Sequence, residues 1–356
     1  MNKHKGLNKL LISALAVLVS LAIGAILIVA EGEDPISAYA ILFSSVFRNP
    51  VNFGEAVIKA LPIAFTGLAV VVAYRCGTFN LGAEGQLIIG AAGCIWFATR
   101  FSHLPAPVVI LCCLVIGAVM GALWGLLPGI LKARFSINEI ITTILMNYVA
   151  TYLVSWLVNG PLQEASRHNP QTDAIEKCFR LPILVDTTRI HLGVIFLILL
   201  SAVIYYYLFY TAGGFRMRAV GLNRDAAAYS GISIRTNILK AMLLSGAIAG
   251  FGGAVEILGV QFRLIEGFGA GYGFDGVAMA LIGQLQPFGV LIVSLLFGIL
   301  RTGANSMQRL SGIPASVIDV IQALIIFFVV SAGSIQIIRS RKPKAGAHTE
   351  QEAKQA

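Results

Sequence analysis

A short run of polar side chains interrupts an apolar stretch near residue 80. Residues 79–86 read FNLGAEGQ, so a carboxylate and two amides share eight positions with two glycines. A carboxylate inside a long apolar segment is costly, and it usually faces protein interior or water. Asn80, Glu84 and Gln86 are therefore candidates for the wall of a path for a polar solute, or for the hinge of a gate. The alternative is structural, with Glu84 joining two helices by accepting backbone hydrogen bonds, and both remain open at this point.

Further polar side chains occur singly in other apolar stretches. Asn147, Asp275 and Gln284 are candidates for the same path, and Asp319 and Gln322 have the same character. Each of them alone is more often a hydrogen bond between two helices.

A second polar segment has the signals of a short capped helix. Residues 214–232 read GFRMRAVGLNRDAAAYSGI. Asn223 suits the N-cap, Asp225 follows in the first turn, and Gly231 suits the left-handed C-terminal position. The three alanines between them favour a helix, and their short side chains leave its surface without protrusions. Such a helix fits a groove on a partner, whereas the alternative is a solvated basic loop.

The common chemical signatures are missing from the sequence. It contains no phosphate-binding G-x-x-x-x-G-K-[ST], no H-E-x-x-H and no G-x-S-x-G. The five histidines are scattered, and the five cysteines form no CxxC pair and have the character of small apolar residues. We therefore predict no catalytic residue, no metal site and no cofactor.

The elements that position these residues follow from the composition. The chain has 356 residues, of which 57% are apolar and 12% are charged, and its mean hydropathy is +0.82. Soluble domains carry about 25% charged residues. The composition therefore predicts an all-α polytopic membrane protein and disfavours a soluble enzyme, a disordered chain or a disulfide scaffold. The net charge of +9 clusters at the ends of apolar stretches, which disfavours nucleic acid as a partner.

The apolar stretches predict about ten transmembrane helices, with short broken or re-entrant segments among them. The expected spans are 10–30, 57–74, 78–98, 107–131, 137–158, 192–211, 238–259, a short one near 276–286, 288–305 and 314–338. The distribution of Lys and Arg predicts cytosolic termini and an even number of spans, and leaves eight or ten open. We expect one transmembrane domain over 1–338 with a cytosolic loop at about 212–237, and a polar cytosolic tail over 339–356. Arg301 and Glu256 are expected near the outer interface.

Glycines recur at about four-residue spacing on two of these spans. The two stripes are Gly117, Gly121, Gly125 and Gly129, and Gly246, Gly250 and Gly253. Small residues on one helix face allow a neighbouring backbone to approach closely. The stripes predict either tight static packing or smooth faces that slide during transport.

The cytosolic loop is similar to a motif of a known transporter family. Its pattern D-A-A-x-x-x-G at 225–231 resembles the E-A-A-x-x-x-G loop of ATP-binding-cassette importer permeases, with aspartate in place of glutamate. The resemblance implies that this loop contains the coupling helix, which docks on the ATPase subunit. The residues expected at that contact are Asn223, Arg224, Asp225, Ala226, Ala227 and Gly231.

The run at 79–86 resembles the N-[LI]-G-x-E-G-Q signature of the permeases for ribose-type sugars and nucleosides. Further similarity extends over roughly 61–332, and the outer loop after residues 146–149 is similar to the larger permease of purine-nucleoside systems. The resemblance implies a bacterial inner-membrane permease that moves a nucleoside, or a simple sugar, by alternating access. It also implies partners: two ATPase chains, a second permease chain that is related or identical, and an extracellular binding lipoprotein or periplasmic binding protein.

Three other functions remain open from the residues. They are a branched-chain amino-acid permease of the same architecture, an ion-coupled secondary transporter, and an intramembrane enzyme with an unusual site.

Overall fold

The computed structural model describes residues 18–269, 271–314, 316–325 and 327–328. Within these ranges the chain is helical, apart from turns, extended loops and two isolated β-bridges. The helices α1 to α13, in chain order, are Leu18–Ala30, Pro35–Phe47, Pro50–Arg75, Ala83–Arg100, Ala106–Phe135, Glu139–Val158, Gly193–Tyr210, Ala212–Leu222, Arg224–Tyr229, Ile234–Glu256, Tyr272–Ile282, Pro287–Ser311 and Ser316–Ile325. The all-α class is thereby confirmed for the described part, whereas the tail 339–356 and parts of the first and last expected spans lie outside it.

Within the described ranges, six helices are long and apolar enough to cross a membrane. They are α3, α5, α6, α7, α10 with its π-helical extension Ile257–Gln261, and α12. Helices α1, α2, α11 and α13 are apolar but shorter. Helix α2 falls in no expected span, and α4 begins at Ala83 instead of at residue 78 because residues 78–82 are not helical.

The contacts divide the chain into two compact units, residues 42–303 and residues 1–41 with 304–356. In the larger unit, α10 packs against α3, α4 and α5, and α11 packs against α3. The apolar window of α3 is 89% buried and that of α10 is 72% buried, against 28% or less for α5, α6 and α7. A helix that is apolar all round belongs in the interior, so α3, α4 and α10 form the core and α5 to α7 expose apolar faces.

In the smaller unit, α1 and α13 approach closely at a glycine. A Cβ atom on Gly24 would overlap the side chain of Ile321. The hydroxyl of Tyr39 donates a hydrogen bond to the carbonyl of Leu21 at 2.7 Å, which joins α2 to α1.

The glycine stripes bring the backbones of α5 and α10 into direct contact. A Cβ atom on Gly250 would overlap the carbonyl oxygen of Gly117, and one on Gly246 would overlap that of Gly121. On the other side of α10, Gly250 also lies against Gly90 of α4. Close packing, one of the two expected roles of the stripes, is therefore confirmed, and sliding stays a prediction.

Candidate docking and gate sites

The larger unit has one end at which three arginines lie near one another. The guanidinium carbons of Arg75 and Arg218 lie 5.2 and 5.1 Å from the ring centroid of Phe209. Arg224 Nη2 donates a hydrogen bond to the carbonyl of Gly77 at 3.1 Å. We call this end the basic end.

Two helices, α8 and α9, cover the basic end, where the sequence predicted one. Helix α8 begins after Thr211, whose Oγ1 accepts from the backbone N–H of Gly214 at 3.1 Å. Helix α9 begins after Asn223, whose Oδ1 accepts from the N–H of Ala226 at 3.0 Å, and it is followed by Gly231 at φ +75°. The predicted caps of the second helix are confirmed, but the expectation of a single helix was wrong, because a second polar cap at Thr211 starts an earlier one. We call α8 and α9 together the docking pair.

The docking pair divides its side chains between the protein and the exterior. Ala227 is only 3% exposed, whereas Asn223, Arg224, Asp225 and Ala226 are exposed. The buried cluster around Ala227 consists of Cys76, Met217, Val220, Ile238 and Ala241. Ala227 therefore anchors the pair to its own chain, and the other predicted contact residues are free to meet a partner.

Large apolar side chains protrude from the docking pair, and two of them are almost fully exposed. Leu222 is 87% exposed and Tyr229 is 94% exposed. Between the two helices lies a groove of about 650 Å³. Its lining residues are Ala212, Phe215, Arg216, Arg218, Ala219, Leu222, Asn223, Ala226, Ala227, Ser230 and Ile232. An apolar groove with a basic rim and protruding apolar side chains is typical of a protein interface.

Arg75 connects the docking pair to a distant turn. A Cβ atom on Gly221 of α8 would overlap the carbonyl oxygen of Arg75, so the two backbones touch. Arg75 Nε and Nη2 both donate to the carbonyl of Leu285, at 3.1 and 2.9 Å, in the turn between α11 and α12. Gln284 and Leu285 in that turn have φ +55°, which places both in the left-handed region.

The amides at 80, 86 and 147 form one buried network. Asn80 Nδ2 donates to Gln86 Oε1 at 2.9 Å and to Ser245 Oγ at 2.7 Å, and Ser245 Oγ donates to the carbonyl of Ala69 at 2.6 Å. Asn147 Nδ2 donates to the carbonyl of residue 81 at 2.8 Å, and its Oδ1 accepts from the N–H of residue 85 at 2.9 Å. These hydrogen bonds hold the non-helical segment 78–82 against α6 and α10.

Glu84 joins α4 to α11. Its Oε2 accepts from the N–H of Gly271 at 3.1 Å, at the N-terminus of α11, where the helix dipole favours an anion. A Cβ atom on Gly273 would overlap Glu84, so the two helices meet at a glycine. Glu84 therefore joins two helices by accepting from the backbone, which is the structural alternative given for it above.

Asp275 and Gln284 lie apart from the amide network. Asp275 Oδ2 pairs with Arg301 Nη2 at 2.6 Å, and both side chains are partly exposed. Gln284 is exposed in the turn that Arg75 binds. The structure thus brings together Asn80, Glu84, Gln86 and Asn147. Asp275 lies in the first turn of α11, which Glu84 contacts at Gly273, whereas Gln284 lies in a separate turn.

Ser245 and Thr66 take part in the same region but were not predicted as site residues. Thr66 Oγ1 donates to the carbonyl of Tyr272 at 2.7 Å, and Ser245 is fully buried in the amide network. Neither has a charge. The signals for Ser245 were its place in the run 245–250, which resembles the permeases for ribose-type sugars and nucleosides, and a hydroxyl beside the second glycine stripe, which is typical of close helix packing.

The long loop between α6 and α7, at the end opposite the basic end, is held by local hydrogen bonds. Donors from Ser166 and Gln171, with a smaller contribution from Asn169, lower the pKa of Glu164 to about 2. Burial, together with the nearby guanidinium of Arg189, lowers the pKa of His191 to about 4.

This arrangement defines a multi-pass membrane protein with two short helices, α8 and α9, at one end. Residues 52–330 match the family described as "Branched-chain amino acid transport system / permease component". The chain belongs to this permease family.

Its relatives are named as permeases of ATP-binding-cassette transporters. The guanosine ABC transporter permease protein NupP of Bacillus subtilis is 38% identical over 97% of this chain and 99% of its own length. The nucleoside permease NupB of Lactococcus lactis is 33% identical over 97% and 96%. The glucose permease TsgB13 of Haloferax volcanii is 34% identical over 89% and 86%. No solved structure matches the chain.

Proposed function

We propose that this chain is the permease subunit of an importer for purine nucleosides. It is a transmembrane subunit of an ATP-binding-cassette importer for nucleosides or sugars. The nucleoside assignment rests on one observation: two relatives named for guanosine or nucleosides align along almost the whole chain, at 38% and 33% identity. The chain itself catalyses no reaction in this proposal, and ATP hydrolysis belongs to a partner.

The basic end faces the cytosol in the proposed orientation. Arginines are retained on the cytosolic side of bacterial membranes, and Arg75, Arg218 and Arg224 lie together at this end. The same orientation puts the loop 159–192 outside. The distribution of Lys and Arg along the sequence separately favours cytosolic termini. About ten helices then cross or enter the membrane, including the shorter α1, α11 and α13.

The docking pair transmits movement of the ATPase subunits to the membrane helices. Its exposed residues Asn223, Arg224, Asp225 and Ala226, with Leu222 and Tyr229, form the contact, and Gly231 ends the second helix. Ala227 does not touch the partner. It supports the contact by fixing the docking pair to the buried cluster of its own chain.

The network around Glu84 acts as a gate hinge. Glu84 couples α4 to α11 through backbone hydrogen bonds at the N-terminus of α11, and Asp275 couples α11 to Arg301 of α12. Asn80, Gln86 and Asn147 keep the segment 78–82 in place while α11 moves, and Gln284 lies in the turn at the cytosolic end of α11.

A second, related permease completes the importer. Bacillus subtilis and Lactococcus lactis each contain two relatives, NupP with NupQ and NupB with NupC, and the second of each pair is 26% identical to this chain. These pairs support a heterodimer, with ATPase subunits on its cytosolic face and an extracellular substrate-binding protein on the other.

The substrate is tested by uptake of labelled guanosine in cells that express the complete importer, with unlabelled guanosine, glucose or leucine as competitors. We expect competition by guanosine alone. Competition by glucose would support the second candidate, a sugar permease, which the glucose permease of Haloferax volcanii favours. Competition by leucine would instead support the amino-acid function named in the family description.

The docking role is tested by Ala226→Glu, with Ala165→Glu in the opposite loop as the control. Both alanines are exposed, so neither substitution disturbs a core. We expect Ala226→Glu to abolish co-purification of the ATPase while membrane insertion is unchanged. Normal co-purification and uptake in Ala226→Glu would contradict the proposed contact.

A further inference from the structure

A groove between α4, α5 and α6 opens on the surface of the larger unit. Its volume is about 650 Å³. Its lining is almost entirely apolar and includes two indole rings: Ile89, Ala92, Gly93, Trp96, Ile116, Val119, Met120, Leu123, Trp124, Leu153, Leu157 and Leu162. Val119 and Leu123 are 50% and 56% exposed, so the groove faces the surroundings of the helices and not their interior.

A second, polar cavity continues the groove at the end opposite the basic end. It has a volume of about 220 Å³, and it shares Leu162 with the groove. Arg100, Gln163 and Asp173 contribute its charged and amide groups. The two cavities adjoin at Leu162, and we call them together the channel, which is apolar on one side of Leu162 and charged on the other.

Helix α4 supplies one wall of both cavities. Ile89, Gly93, Trp96 and Arg100 follow at spacings of three or four residues, so they share a helix face. From residue 89 to residue 100 the helix rises about 16 Å. One leaflet of a bilayer has about half of the ~30 Å hydrocarbon thickness, so the groove matches one leaflet and Arg100 falls at its headgroup level.

The polar cavity contains two charges of opposite sign, and the described residues leave part of the hydrogen-bonding capacity of each unused. Among the described residues, no acceptor lies within hydrogen-bonding distance of the Arg100 guanidinium. Asp173 Oδ1 accepts from the N–H of Ala165 at 3.2 Å, and within the same part of the chain its Oδ2 has no donor. A guanidinium binds phosphate well, and a carboxylate in the same cavity disfavours a second anion but fits an ammonium group.

We propose that this channel is a binding site for one phospholipid with an amine-bearing, zwitterionic headgroup. An acyl chain lies between α4, α5 and α6, the phosphate contacts Arg100, and the ammonium group contacts Asp173. The lipid belongs to the outer leaflet in the orientation proposed above. The indole rings of Trp96 and Trp124 flank the acyl chain, and tryptophan is common at this depth of a bilayer.

The site is tested by native mass spectrometry of the assembled importer containing the full-length chain. The complex is titrated with phosphatidylethanolamine or phosphatidylglycerol of identical acyl chains. We expect one phosphatidylethanolamine to remain bound per chain, and phosphatidylglycerol to bind more weakly. Arg100→Gln is expected to weaken retention about tenfold, since a charge-assisted contact is lost, whereas Arg100→Lys retains the lipid. Asp173→Asn is expected to remove the preference between the two headgroups.

Matched variants separate the site from general effects. Leu123→Trp fills the groove and is expected to abolish retention, whereas Leu111→Trp, on the same helix and 64% exposed but outside the groove, retains the lipid. Lys177→Gln removes a charge from the same loop without touching the cavity and is expected to have no effect.

Three results would overturn the proposal. One is equal retention by Arg100→Gln and the unaltered chain in a complex of normal size and stability. Another is tighter binding of phosphatidylglycerol than of phosphatidylethanolamine. The third is a cross-link from position 123 to the second permease chain, which would show that protein covers the groove. Since substrate uptake is not the readout, these results do not depend on which solute the importer moves.

Discussion

The contact between the two glycine stripes predicts a sharp stability difference between two chemically identical substitutions. In Gly250→Ala, the new Cβ would lie 2.8 Å from the Cα of Gly121 and would overlap the carbonyl oxygen of Gly117. Ordinary contact begins at 3.4 Å, so α5 and α10 must separate by more than half an ångström. The obstructing atoms are backbone, which has no rotamer to change.

The expected cost is about 1–3 kcal/mol, the usual range for overpacking a core. Alanine gains up to about 1 kcal/mol over glycine in helix propensity, and this gain is smaller in a bilayer, where the separated helices are already helical. Overpacking therefore outweighs propensity at Gly250, and we expect the melting temperature to fall by about 2–6 °C.

Gly129→Ala is the matched control on the same pair of helices. Its Cβ would meet the Cβ and Cγ of Met242 at 3.0 and 3.3 Å, in a side chain that can adjust. We expect a change of less than about 1 kcal/mol in either direction. The assay is thermal unfolding of the purified chain, followed by size-exclusion chromatography after heating. Equal melting temperatures for Gly250→Ala and Gly129→Ala would refute the close backbone contact.

Three further predictions concern charged or titratable groups. Glu84→Gln keeps an acceptor but removes the charge at the N-terminus of α11, so we expect a loss of about 0.3–1 kcal/mol in thermal unfolding together with slower uptake, and unchanged values for both would contradict the hinge. Arg301→Met removes the guanidinium that pairs with Asp275 and is expected to lower the melting temperature, while adding Asp275→Leu restores part of the loss; a double variant no better than the single one would argue against the pairing. His191 has a folded pKa of about 4, below the ordinary 6.5, so its stability contribution is complete above about pH 6.5 and is lost as the pH falls towards 4. His191→Asn should therefore show a flatter melting profile between pH 7 and 4.5, and a profile as steep as that of the unaltered chain would show that other groups dominate.

The sequence predicted the class of fold and the caps of α9 because those features depend on local chemistry. Long apolar runs, an asparagine before an acidic first turn, and a glycine after three alanines each act through neighbouring residues. The expected bounds of most spans agree with the helices to within a few residues. Helix α2 was missed because its 13 residues are too few to be identified as a span.

The pairings in the site depended on tertiary contacts that no local pattern reveals. The candidate residues Asn80, Gln86 and Asn147 were identified, but their partners were not, since Ser245 lies far along the chain and has no charge. Asp275 and Arg301 were noted separately, and only the packing of α11 beside α12 brings them together. Ala227 was assigned to the partner contact, although one residue of a three-alanine run must face its own core in any helix packed on one side.

Two hydrogen bonds from Arg75 to the carbonyl of Leu285 hold the end of α3 at a fixed distance from the turn between α11 and α12. The backbone of α8 rests on Arg75 at Gly221, so a push on that helix is passed through one rigid, planar group to the far turn. A shorter or more flexible side chain at this position would bend locally and would not pass the displacement of α8 to the turn. Under the proposed docking role, Arg75 is therefore the side chain through which a displacement of α8 would reach the turn between α11 and α12.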